Sequence, residues 1–133
     1  MGRYLEDARK LYAHAVKELG DWERTRDQTL LRDAAEKAWG AMVQATNEVL
    51  DAYGGRIPSG TNARRDALHA VERQNKPLRR LRLEARFLSA ENVLHKDCFY
   101  DGACSLPLVS DLLTEDVKEY LDDVADLTGT NGR

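Results

Sequence analysis

The sequence predicts an all-α fold, an antiparallel four-helix bundle with one short accessory helix, and three observations carry that prediction. Apolar residues recur at helical spacing through most of the 133 residues. Chain breakers are few, 3 Pro and 9 Gly, and they gather at a handful of sites. Charged residues make up 32% of the chain and apolar ones 42%, which suits helices with a solvated face better than sheets or disorder. Residues 1–127 read as a single domain and residues 128–133 as a loose tail.

Taken in order, residues 2–19 form a first helix with Leu5, Ala8, Leu11, Tyr12, Ala15, Val16 and Leu19 on its apolar stripe and His14 facing solvent. Gly20 is its expected stop, since glycine accepts the left-handed backbone that ends helices. Asp21 or Asp27 is then the N-cap of the next helix. That helix, residues 30–53, carries two adjoining stripes. One runs Leu31, Ala34, Ala38, Met42, Ala45, Val49, and the other Ala35, Trp39, Met42, Thr46, Leu50, Tyr53. A helix apolar on more than one side belongs at the centre of its fold. It ends at Gly54 and Gly55, and RIPSGTN is a loop by composition.

A weaker helix covers residues 62–75, capped by Thr61 or Asn62, with Ala63, Ala67, Leu68, Ala70 and Val71 inward. Pro77 suits the first turn of a third long helix reaching Tyr100. After YDGACSLP, Thr114 is the expected N-cap of the last helix, whose buried face is Val117, Tyr120, Leu121, Val124 and Leu127.

Several classes of protein are disfavoured by what is missing. There is no glycine-rich phosphate loop, no nucleophile beside an identifiable base and no pair of carboxylates at hydrolase-like spacing. Neither a membrane span nor a secretory leader is read from the chain, and Glu6 stands where myristoylation wants Ser or Thr. The expected location is cytoplasmic. Two cysteines fit a reducing compartment, with Cys98 in the core and Cys104 a loop thiol. His95, Cys98 and Cys104 offer three zinc-ligand types but no CxxC pair, so no metal and no other cofactor is expected.

Charge is segregated along the chain although the net is only −3. Residues 61–86 hold eight basic side chains (Arg64, Arg65, Arg73, Lys76, Arg79, Arg80, Arg82, Arg86) against three acidic ones. Residues 101–127 hold eight acidic side chains against Lys118. Such a basic run is one mark of nucleic-acid binding, but no aromatic residue interleaves it. Neutralisation between the third and last helices is the preferred reading.

Two stretches, DAAEKAWGAMVQA and AENVLHKDCFYDG, together resemble the signatures of the PaREP-type helical proteins abundant in archaea. The matching positions are Ala34, Glu36, Lys37, Trp39, Gly40 and Ala41, then Leu94, His95, Phe99 and Tyr100. Three residues separate His95 from Phe99 here, where the family pattern has two. The resemblance implies membership of the HEPN-like superfamily of small helical bundles, which often dimerise and include ribonucleases and partners of nucleotidyltransferases. Fold kinship alone implies no activity.

Two sets of side chains follow as candidates. Arg64 and His69 have the Arg-x4-His spacing of HEPN ribonucleases, where a base and a cation serve RNA cleavage, but stand in a different helix from the one the family uses. Glu36, Lys37, Trp39, Glu91, His95 and Tyr100 form a candidate ligand or partner pocket, with Glu91 one turn before His95 and placed to share its face. The preferred function is a binding or interaction module working as a homodimer with no membrane partner. Ribonuclease activity and nucleotide binding beside a transferase are the alternatives.

Overall fold

The computed structural model describes residues 2–129, and every regular element among them is helical. Helices α1 (Arg3–Thr25) and α2 (Gln28–Ala52) are joined by two residues and pack along their whole lengths. Their direction is antiparallel: the Leu5 amide donates to Glu48 Oε1 at 3.0 Å near one end, and Lys37 donates to Glu18 nearer the other. Ala34, Ala38, Ala41 and Ala45 are fully buried, and Gly40 meets Leu11, so small residues let the two backbones approach closely.

Gly20 does not end α1. The buried stripe Leu5, Ala8, Ala15, Leu19 continues to Trp22, and burying an indole outweighs the roughly 1 kcal/mol cost of a helical glycine. The helix stops at Arg26, which takes a left-handed conformation (φ 59°), sends its N–H to the Trp22 carbonyl and lays its guanidinium over the Trp22 ring. Val16, one residue off that stripe, is 43% exposed. Of the two candidate caps, Asp27 is the one used: its side chain accepts from the Thr29 amide at 3.0 Å.

Central burial of α2 matches its two stripes. It packs on α1, on the later helices and on the last one, with Leu31, Trp39, Met42, Val49 and Leu50 all enclosed. At its end Gly54 has φ +77°, a turn that glycine takes without strain.

Helix α3 (Thr61–Gln74) is capped at Gly60 and turns a different face inward from the one its alanines suggest. Arg64, Leu68 and Glu72 are buried while Ala63 and Ala70 are exposed. Polar partners make this possible. Arg64 donates to Asn47 Oδ1 at 2.8 Å and to the Pro58 carbonyl at 2.7 Å.

The expected third long helix is broken. Helix α4 (Lys76–Leu81), with Pro77 in its first turn, stops at Arg82, which is left-handed (φ 54°, ψ 46°), and α5 (Leu83–Ala90) restarts behind it. Past Ala90 the helix widens without a break into a π-helical segment, Glu91–Tyr100. The last helix starts earlier than expected. Helix α6 (Leu108–Asp111), a π-helical turn at Leu112–Asp116 and α7 (Val117–Thr128) follow one another continuously. Val109, Leu112 and Leu113 extend the buried stripe backwards, so Thr114 falls midway along the helical run, on its exposed side, and its hydroxyl donates to the Ser110 carbonyl instead of starting the helix. Thr128 belongs to α7, and residues 130–133 of the expected tail lie outside the described residues. No helix among the described residues is long and apolar enough to cross a membrane.

Candidate functional site

Two remote stretches meet at His95. Its Nδ1 lies 2.8 Å from Glu36 Oε1 on α2. An ionised carboxylate only accepts, so Nδ1 carries the proton and, in the neutral ring, Nε2 is left as the acceptor. The buried Trp39, one turn from Glu36, lies against the imidazole at 5.6 Å between ring centroids, with the planes 26° apart. Beyond it, Phe87 tilts against Trp39 at 4.9 Å. On the outer side Phe99 is nearly parallel to His95 at 6.3 Å, and Tyr100 meets its ring edge-on at 5.1 Å. An aromatic ladder therefore runs from the core at Phe87 to Tyr100, which is 68% exposed.

The π-helical segment sets this geometry and corrects one expectation. In a π-helix the hydrogen bonds run five residues back instead of four, so side chains five apart replace those four apart as neighbours. Glu91 accordingly reaches Lys96 (3.8 Å) and His95 is left to Glu36. Lys37 also leaves the predicted pocket, since its ammonium pairs with Glu18 of α1. Of the six pocket residues, the structure brings together Glu36, Trp39, His95 and Tyr100.

Two features that sequence reasoning missed brace the exposed end. Arg32 donates through Nε to the Phe99 carbonyl at 3.0 Å, and through Nη2 to that carbonyl and to the Tyr100 carbonyl (3.3 Å), satisfying acceptors that a helix end leaves open. Cys98 and Cys104, expected as free thiols, form a disulfide that ties the following loop back to the core. Their six-residue separation around the Asp101–Gly102 turn was the available signal; Gly102 has φ +69°. With both sulfurs bonded to each other, neither is a thiolate ligand. Among the described residues no group of three or more His, Cys, Asp or Glu side chains is placed to hold a metal ion.

Scans against protein-family models, curated proteins and solved structures return no match.

Arg64 and His69 do not converge. Five residues apart on a regular α-helix they point about 140° from each other. Arg64 is held by Asn47 and Pro58, and burial pulls its guanidinium below the ordinary value. His69 is exposed and bonds Glu84 Oε1 through Nδ1 at 2.6 Å. That geometry lends no support to a joint catalytic role. The basic run is neutralised only in part. Arg86 bridges to Asp123 at 2.9 Å, whereas Asp122 is taken by Arg9 and Lys118 (2.9 and 2.8 Å), outside the run. Arg73, Lys76, Arg79, Arg80 and Arg82 are exposed.

Proposed function

We propose that this chain is a binding and interaction module, an antiparallel four-helix bundle of the HEPN-like, PaREP type, that works as a homodimer through the segment following His95. Four large apolar side chains are exposed among the described residues, and three of them, Tyr100, Leu106 and Leu108, fall in this one stretch. Single exposed apolar residues need no explanation, but a concentration on a braced segment does. The disulfide and the Arg32 clamp keep the stretch ordered, which lowers the entropy cost of docking it. Glu36 and Trp39 from one family-like stretch and His95, Phe99 and Tyr100 from the other supply its rigid foundation. A histidine held by Glu36 and packed among Trp39, Phe99 and Tyr100 supports a binding surface. A twofold dimer is the commonest way for such exposed apolar side chains to be covered.

Sedimentation equilibrium on the whole chain tests the reading. A dimer is expected, and Leu106→Ser with Leu108→Ser should raise its dissociation constant by roughly tenfold or more for each side chain, while circular dichroism stays native. A wild-type protein that remains monomeric at every concentration reached, or a dimer indifferent to the double substitution, would overturn it.

A further inference from the structure

A second surface, sharing no residue with the His95 ladder, gathers three arginines that form no ion pair among the described residues. Arg73 lies in the last turn of α3, Arg79 in the last turn of α4 and Arg82 forms the link to α5, and all three line one cleft of about 330 Å³ together with His69, Glu72 and Glu84. The convergence depends on Arg82. Its left-handed backbone breaks the helix between α4 and α5, at a position where glycine would sit without strain and an arginine does not. Arg26 takes the same conformation where α1 stops; at Arg82 the stop also sets an arginine on the lining of the cleft.

The cleft's two carboxylates bond to groups other than the three arginines. Glu72, itself buried, accepts from the Glu84 amide at 3.1 Å and so caps the start of α5. Glu84 is bonded to His69. None of the three arginines forms an ion pair among the described residues; Arg79 donates only to the Arg73 carbonyl, at 3.2 Å. Three exposed arginines therefore line one cavity without an ion pair, and they outnumber its two carboxylates, Glu72 and Glu84, by one charge. Apart from Ala85 the lining is polar or charged, and it holds no Phe, Tyr or Trp; its one ring, His69, is held by Glu84. What remains is the forked donor geometry that suits phosphate oxygens.

We propose that this cleft binds the multiply charged phosphate of a small molecule, a diphosphate or a phosphomonoester, on Arg73, Arg79 and Arg82. The site does not depend on the dimer or on the His95 surface. His69 rims it as a further polar contact, and the absence of an apolar floor leaves the organic part of the ligand largely in solvent.

Isothermal titration of the full chain with pyrophosphate, with ATP and with a short mixed-sequence single-stranded RNA tests the assignment. Saturable binding of pyrophosphate and ATP is expected, weakened about tenfold by Arg73→Gln and again by Arg79→Gln. Lys76→Gln with Arg80→Gln, which removes two charges outside this cleft, should leave it unchanged. Arg82→Gly is the decisive variant: it relieves the backbone, so thermal stability should hold or rise while affinity falls about tenfold. Absence of pyrophosphate binding overturns the proposal, as does equal weakening by the Lys76 and Arg80 pair, or RNA binding without pyrophosphate binding. So does an Arg82→Gly protein that binds as wild type.

Discussion

Tyr120 donates its hydroxyl hydrogen to Thr46 Oγ1 across 2.7 Å of fully buried core. The direction follows from the third member of the chain, because Thr46 gives its only hydroxyl hydrogen to the Met42 carbonyl at 2.8 Å and has none left for Tyr120. The two partners are therefore not equivalent. Tyr120→Phe leaves Thr46 still bonded to Met42 and should cost about 1 kcal/mol, whereas Thr46→Val strands a buried phenol and should cost about 2 kcal/mol or more. Urea denaturation of both variants checks the order; equal losses would mean the donor assignment is wrong.

Glu48 makes a comparable bond at the start of α1. Only 6% exposed, it accepts from the Leu5 amide, one of the first-turn donors that no helical carbonyl can serve. Glu48→Ala should lower stability by about 2 kcal/mol, and Glu48→Gln, which keeps an acceptor, by less. A Cβ on Gly2 would collide with the same carboxylate, so Gly2→Ala should also destabilise. Thermal melts of the three proteins decide the matter, and an unchanged Glu48→Ala midpoint would count against the cap.

Two carboxylates should give opposite responses to pH. Hydrogen bonds from Lys118 and then Arg9 hold Asp122 below its ordinary value of 3.8. Its stabilising contribution is therefore present above that value and lost as pH falls through the folded pKa. Asp122 is partly exposed, so Asp122→Asn should cost only about 0.5 kcal/mol at neutral pH and nothing in strong acid. Burial raises Glu72 above its ordinary 4.5. Its contribution is full below that value and declines as pH rises through the folded pKa, a decline that Glu72→Gln should remove. Denaturation curves at several pH values measure both; parallel pH profiles for wild type and variants would refute the assignments.

Closure of the short loop between Cys98 and Cys104 should contribute about 2 kcal/mol. Reduction with dithiothreitol is expected to lower the melting temperature of the wild-type chain and to leave a Cys98→Ala, Cys104→Ala protein unaffected. Because Leu106 and Leu108 follow Cys104 closely in the chain, reduction should also weaken the proposed dimer. A melt insensitive to reductant would remove the bond from the account.

Much of the architecture was legible in the sequence because a helix writes its burial into a local period. The two stripes of residues 30–53 named α2 as the enclosed helix, and Gly54 marked its end. Composition likewise excluded sheets. What the tertiary structure alone decided were matters of partnership between residues far apart. Whether Gly20 stops a helix depended on Trp22 finding a covered place; whether Thr114 caps one depended on Val109 and Leu112 being buried behind it. The inward face of α3 became Arg64 and Glu72 because Asn47 and the Glu84 amide were there to receive them. His95 turned from Glu91 to Glu36, 59 residues away, because a π-helical register moved the ring off the four-residue neighbour. A hydrophobic period records which side of an element is dry, but hydrogen bonds, bridged sulfurs and unpaired charges are settled only by what stands opposite, and that information is not local to the chain.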